Sequence, residues 1–404
     1  MTRSNWSVPE TEVVQRVHER LDGDRTDVLA TIVDVEGNAY RRPGAKMLLD
    51  EAGEGVGSIT AGCLEDELLV AAESVRERGR PELVTYDLME DDDDVWGLGV
   101  GCNGIIDVLL EPLTDAYRPA VEAFDEGRSV AVLTVLEGGD GGDEGDGRDR
   151  RDGGDALLAR GDRAYYHPDE GLLATPDGEP ATAWPDELTG PAADLAERGR
   201  ADTVELDVSG TQLEVFIDGL AAPTELVIFG SGHDVGPVTE LAAKNDFRVT
   251  VVSFRGSVDL QARFPDADAT VTTSPASIDE AIDLDDCTYA VVMTHNFVDD
   301  RLTVERLLDS PVPYVGLMGP HKRFEEMVEA FESEGTTFDD AALSSLYTPM
   351  GLDLGGGSPY QIAHSIVAEV LSVSNDRTPD HLRTREGHIH DRVSVDSTDD
   401  IPSQ

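Results

Sequence analysis

The sequence predicts an α/β protein in two parts. An N-terminal α+β domain with an internal duplication is followed by a Rossmann-like, doubly wound parallel sheet. Three observations carry this reading. Glu225–Phe229, the turn Gly230-Ser-Gly232, a helical run to Asn245 and the apolar run Arg248–Val252 spell strand, glycine turn, helix, strand, the opening unit of a dinucleotide-binding fold. Segments of the first half recur about a hundred residues later in the same order. The chain's 404 residues are enough for two separate cores.

Each element follows from local pattern. Val8–Asp22 reads as a helix, with Pro9 in its first turn and Val13, Val14, Val17 and Leu21 at helical spacing. Strands are expected at Val28–Val35 and Lys46–Leu49 around a Gly37…Pro43-Gly44 turn, then a helix from Leu64 to about Arg78. Strands at Leu83–Tyr86 and Ile105–Leu110 complete the first copy. The second copy is read from matching runs. Ala71–Arg80 is echoed by Ala192–Arg200, Glu82–Asp87 by Thr203–Asp207, Ile106–Pro112 by Leu213–Asp218, and Asp27–Val35 by Ser129–Val135. The second copy lacks both cysteine loops and the Pro43-Gly44-Ala45-Lys46 turn.

Farther on, strands are expected at Tyr289–Met293 and Tyr314–Leu317, with Thr294-His295-Asn296 and Gly316–Arg323 at their carboxyl ends, where an open parallel sheet binds ligands. Ser358 and Pro359 mark the start of a helix to Leu371. The expected domains are 1–220, with an acidic disordered loop at about 138–154, then 221–373, then a disordered acidic tail at 374–404.

Composition narrows the function classes. With 83 acidic and 31 basic residues, the formal net charge is −52, so nucleic acid and anionic membranes are repelled. Acidic residues spread over ordinary globular patterns, with only three lysines, are the composition of salt-loving (halophilic) organisms. Three cysteines in a long chain argue for a reducing compartment. No stretch reaches signal-peptide or membrane-spanning length, and a cytoplasmic protein is expected.

Two of the cysteines lie in similar glycine-rich loops, Gly57-Ser-Ile-Thr-Ala-Gly-Cys63 and Gly97-Leu-Gly-Val-Gly-Cys102-Asn-Gly104. Such loops serve either as tight turns around small buried residues or as exposed thiol sites. Cys63 runs into a helix, whose N-terminus favours a thiolate, and its loop leaves backbone N–H groups to face a ligand. In the second domain Val235 fills the third glycine slot of the turn, and Ser253 stands where an acidic residue would grip a ribose, with Arg255 nearby. Lys322 and Arg323 at a helix start suggest a phosphate subsite. His295 has the chemistry of a general acid, yet no orienting partner is evident in the sequence.

Taken together, Arg42-Pro-Gly-Ala-Lys46-Met, the Cys63 loop, Gly101-Cys102-Asn-Gly104 through Glu111-Pro112, Gly230-Ser-Gly-His-Asp234, Tyr314–Gly319 and Pro349-Met-Gly-Leu-Asp353 resemble the xanthine dehydrogenase accessory factor family (XdhC/CoxI). The resemblance implies a chaperone that binds molybdenum cofactor (molybdopterin, or its nucleotide form) and protects or supports its sulfuration. It would then insert the cofactor into a molybdenum hydroxylase of the xanthine or carbon monoxide dehydrogenase type. It implies a hydroxylase apoenzyme and a cysteine desulfurase as partners, and a homodimer is expected.

The residues expected at the cofactor are Arg42, Gly44, Lys46, Ser58, Gly62, Cys63, Glu65, Gly101, Cys102 and Gly104 in the first domain. Those in the second are Gly230, Gly232, His233, Asp234, His295, Gly319, Lys322, Arg323 and Asp353. Cys63 and Cys102 are the candidate molybdenum ligands, since soft thiolates suit a thiophilic metal. The alternative is an NAD(P)-dependent oxidoreductase, with NAD(P) or another nucleotide in the Rossmann domain.

Overall fold

Two five-stranded antiparallel sheets of identical topology make up the first unit of the computed structural model. The structure describes residues 6–23, 26–37, 39–88, 104–138, 158–208, 210–256 and 258–384. The central part of the acidic loop and residues 385–404 lie outside them. The chain divides after Ala222 into one unit and a second, Pro223–Thr384.

In the first unit α1 (Glu10–Leu21) precedes β1 (Val28–Gly37), β2 (Lys46–Leu49), β3 (Gly55–Gly57), α2 (Glu65–Arg78), β4 (Glu82–Asp87) and β5 (Gly104–Pro112). Then α3 (Arg118–Asp125) precedes β6 (Val130–Glu137), β7 (Arg163–His167), β8 (Leu172–Ala174), α4 (Thr189–Arg198), β9 (Ala201–Val208) and β10 (Thr211–Leu220). The strand orders are β3-β2-β1-β5-β4 and β8-β7-β6-β10-β9.

The duplication holds at the level of register. Thr31 pairs with Lys46 and Leu29 with Glu111 in the first sheet; Thr134 pairs with Arg163 and Val132 with Asp218 in the second. Both central ladders skip one residue at the equivalent place, between Ile32 and Asp34 and between Val135 and Glu137. The skipped residues, Val33 and Leu136, pack together with Leu109 and Phe216 in a small core shared by the halves. Each sheet also has a core of its own under its own helix, Leu68, Ala72 and Val75 of α2 in one and Ala192, Leu195 and Ala196 of α4 in the other. Helices α1 and α3 close a third core through Val14, Val17, Val121 and Phe124. The expectation that copy two has lost the Pro43-Gly44-Ala45-Lys46 turn is corrected here, because Gly161 N donates to Val135 O as Gly44 N donates to Ile32 O, and Arg163 occupies the register position of Lys46.

The second unit runs β11 (Glu225–Phe229), α5 (Val235–Ala243), β12 (Arg248–Ser253), α6 (Leu260–Arg263), β13 (Ala269–Thr272), α7 (Ile278–Ala281) and β14 (Thr288–Val292). It continues with α8 (Phe297–Leu308), β15 (Tyr314–Leu317), α9 (His321–Glu334), α10 (Asp340–Ser344), β16 (Leu346–Tyr347) and α11 (Pro359–Ser374). All strand pairs are parallel, in the order β13-β12-β11-β14-β15-β16. The four central strands, β12, β11, β14 and β15, are buried on both faces, as helices on each side demand. One core gathers α5, α6 and α11, the other α7, α8 and α9. The order reverses between β11 and β14, which opens a crevice at their carboxyl ends. Ser358 and Gln361 form the capping box that starts α11, and that helix runs to Ser374, three residues beyond the end expected from its apolar pattern.

Candidate functional site

The Cys63 loop is built around a buried carboxylate. Glu65, the first residue of α2, is fully buried and accepts hydrogen bonds from Thr60 N (2.9 Å), Thr60 Oγ1 (2.7 Å) and Leu64 N (3.1 Å). Thr60 Oγ1 in turn accepts from Cys63 N at 2.9 Å and Leu64 N at 3.2 Å. The expectation that the loop leaves its amides for a ligand is therefore corrected for Thr60, Cys63 and Leu64, whose amides are satisfied inside the loop. The first turn of α2 is also acidic (Glu65, Asp66, Glu67) and so offsets the helix dipole that would favour a thiolate.

What remains is a shape. Gly62 adopts φ +109°, a conformation that strains any L side chain, although no atom lies within 4 Å of where a Cβ would sit. Its backbone thus turns the chain so that Cys63 stands half-buried, with its thiol not in a disulfide. Ser58 is half-buried on the same loop. Gly104 opens β5 opposite Gly37, whereas Gly101 and Cys102 lie outside the described residues. The pairing of Cys63 with Cys102 is therefore not described.

Lys46 is buried, and its ammonium donates to Gly44 O at 2.8 Å and lies 2.8 Å from Asp218 Oδ2. Its expected anion-binding role is corrected, because burial requires a charge to be paired and Asp218 takes it. Arg163 makes the mirror contact, ion-paired with Glu111 and donating to Thr134 Oγ1 at 3.3 Å. Gly44 sits in the same contact, a Cβ there falling 3.0 Å from Ala201 Cβ. Of the first-unit cations singled out in the sequence, Arg42 is exposed and makes no ion pair among the described residues.

The second unit holds its own constellation at the reversal of strand order. Gly230 follows β11, and a Cβ there would lie 2.6 Å from Met293 O, so only glycine admits the close approach of β11 and β14. His295, just past β14, has φ +60° and donates from Nε2 to Asp234 Oδ2 at 2.8 Å. The orienting partner that the sequence did not reveal is therefore Asp234, 61 residues away.

The residues flanking His295 are committed to structure. Thr294 donates N–H and O–H to Asp300 Oδ1, at 3.2 and 2.5 Å, and Asn296 Oδ1 caps α8. Asp300 is buried and carries an ion pair with Arg323. Arg323 is thus not open to a phosphate, and its expected role is corrected; Gly319 makes room for it, since a Cβ there would meet Arg323 Cδ at 2.7 Å. Lys322 is exposed and pairs with Glu326 at 3.1 Å. Gly232 lies beside Asp234, and His233 and Asp353 are exposed.

Cys287 belongs to this second unit, where burial and the neighbouring Asp285 and Asp286 raise its pKa and disfavour the thiolate. Sequence reasoning missed the roles of Thr60, Asp218 and Asp300; of these only Asp218 carries a signal, a carboxylate closing the apolar run Val215–Ile217, where burial demands a partner.

Residues 20–87 match the XdhC and CoxI family, and residues 226–370 match the XdhC Rossmann domain. The chain is 28% identical over 355 residues to a Bacillus subtilis (strain 168) protein named as a probable subunit of xanthine dehydrogenase, covering 87% of this chain and 94% of that one. It is 26% identical over 209 residues to the uncharacterized Escherichia coli (strain K12) protein YqeB, spanning 51% of this chain and 38% of that protein. Among solved structures it resembles a Bacillus halodurans protein described as a xanthine dehydrogenase, with a TM-score of 0.67 and 28% identity over 91% of this chain and 96% of that one.

Proposed function

The chain belongs to the XdhC and CoxI family, and from that premise we propose that it is a cytoplasmic accessory protein that holds molybdenum cofactor for a xanthine dehydrogenase-type hydroxylase and delivers it to the apoenzyme. One observation carries the cofactor part of this reading. Cys63 presents a half-buried thiol, not in a disulfide, just before α2, on a loop whose shape is held by the bonds of Thr60 with Glu65 and with the Cys63 amide.

The residues present fit the group in part. A thiol is the soft donor that a thiophilic metal takes, and exposed Arg42 suits an anionic pterin phosphate. Lys46 and Glu65 instead hold the frame. When bound, the cofactor supplies the metal chemistry of the hydroxylase; this chain binds it and shields it from water. Sulfuration with a cysteine desulfurase, and a homodimer, belong to the same proposal.

The test is a strain lacking this protein. Its molybdenum hydroxylase should still be synthesised and still assemble its other centres, yet be inactive. Added protein purified from a molybdenum-replete host should restore activity, and Cys63→Ala should restore less. Full hydroxylase activity in the deletion strain would refute the proposal. A second reading, an NAD(P)-dependent oxidoreductase, draws on the His295–Asp234 pair in the Rossmann crevice. It requires the purified protein to turn over a substrate with NAD(P)H alone and leaves hydroxylase maturation untouched.

A further inference from the structure

We propose that the corner of the Rossmann crevice between the Gly230–Gly232 turn and the end of β12 binds the 2′-phosphate of a ribonucleotide. The site goes beyond the accessory role and does not depend on it, since none of its residues belongs to the first unit.

In a sheet of this order, a nucleotide's phosphates lie over the turn after the first strand, and its ribose lies at the end of the second. The residue there selects the ligand. A carboxylate accepts both hydroxyls of an unmodified ribose, whereas a guanidinium suits a phosphate. Here the position falls on Ser253, which is buried, and its hydroxyl oxygen accepts Arg255 N at 3.1 Å. Neither a carboxylate nor an exposed hydroxyl is offered to a ribose diol.

Two arginines flank the position instead. Arg255 follows Ser253 and is exposed. Arg263, the last residue of α6, donates from Nη1 to Ser231 O at 2.7 Å, which ties it to the middle of the glycine turn. That bond uses one of its five donors and leaves the rest exposed. Neither arginine is paired with a carboxylate among the described residues, in a chain with 83 acidic residues. Three nearby carboxylates have other partners: Asp234 pairs with His295 at 2.8 Å, Asp259 accepts Ala262 N at 3.1 Å and Asp268 accepts Val249 N at 2.8 Å. A dianionic phosphate between the two arginines gains charge-assisted bonds that a hydroxyl cannot make.

Calorimetric titration of the full chain, at one fixed potassium chloride concentration, tests the site with three probes: adenosine 5′-monophosphate, adenosine 2′,5′-bisphosphate and adenosine 3′,5′-bisphosphate. The 2′,5′-bisphosphate should bind about tenfold or more tightly than either of the others. In the double variant Arg255→Ala, Arg263→Ala that advantage should fall to about twofold or less, while the monophosphate binds as before and the melting temperature is unchanged. Equal binding of the two bisphosphates would show attraction by charge alone and overturn the proposal. So would an absence of 2′,5′-bisphosphate binding at millimolar concentration, or an advantage that survives in the double variant. The comparison of bisphosphates needs no variant, so it stands even if a substitution disturbs folding.

Discussion

The two halves of the first unit share strand order, register, a skipped residue and a left-handed glycine ending the covering helix, Gly79 in one and Gly199 in the other. They differ in the segment between the third strand and that helix. In the first half it is short and presents Cys63; in the second it runs from Thr175 to Leu188 and buries Ala181, Trp184 and Leu188 in the core. One framework thus carries two different segments at the same position, a short one bearing a cysteine in one half and a long one bearing a buried tryptophan in the other. What holds the framework together is common to both, and the cysteine is found in one.

The largest expected effect tests the common part. Lys46→Met leaves Asp218 buried and unpaired, a loss of about 3–5 kcal/mol, read as a melting temperature lower by roughly 10 °C. Arg163→Met should cost about the same through Glu111, and both penalties should persist in molar potassium chloride, because buried pairs are screened far less than exposed ones. An unchanged melting temperature would mean that Lys46 is not spent on Asp218 and would return it to the ligand-binding set.

The next prediction separates the two segments. Trp184→Ala should lose about 3–5 kcal/mol by leaving a cavity, with molybdenum retention per folded molecule unchanged. Cys63→Ala should do the reverse, shifting stability by no more than about 1 kcal/mol while metal analysis shows less retained molybdenum. If both variants behave alike, the halves do not divide the labour. A smaller effect is expected from Gly62→Ala, about 1–2 kcal/mol from forcing a side chain into a left-handed conformation, measured by urea denaturation. A neutral result there would imply that the loop relaxes to another backbone path. The smallest belongs to the second unit: Asp234→Ala should change stability by less than about 1 kcal/mol, as exposed pairs do. It should nevertheless shift the nitrogen resonances of the His295 ring, and a spectrum identical to the parent's would mean that the pair does not form in solution.

The sequence made the elements legible because strands and helices declare themselves by local periodicity. The first Rossmann unit could be placed from Gly230 and the apolar runs around it. The repeat could be seen because helix ends such as Arg78-Gly79 and Arg198-Gly199 resemble each other. The partners were hidden, because they are set by packing between distant segments. Lys46 meets a residue 172 positions away, and Arg323 meets one 23 away across the carboxyl edge of the sheet. In an acidic chain the temptation is to assign every scarce cation to a ligand; Lys46 and Arg323 show that buried carboxylates claim them first. The match of Glu111 with Asp218 is visible in the sequence, whereas that of Lys46 with Arg163 emerges only from strand register, and only the two together bring the four charges into view.

Those four charges have a consequence for where the fold came from. The first half supplies a cation and an anion, Lys46 and Glu111, and the second supplies Arg163 and Asp218 at equivalent positions, each cation reaching across to the other half's anion. A surface on which residue i meets residue j while j meets i is what a two-fold symmetric dimer requires. The first unit therefore carries, within one chain, the reciprocal contacts of a two-fold symmetric dimer. Its first half still carries a self-complementary face, so that half, expressed without the second, should pair with its own copy, Lys46 of each opposite Glu111 of the other.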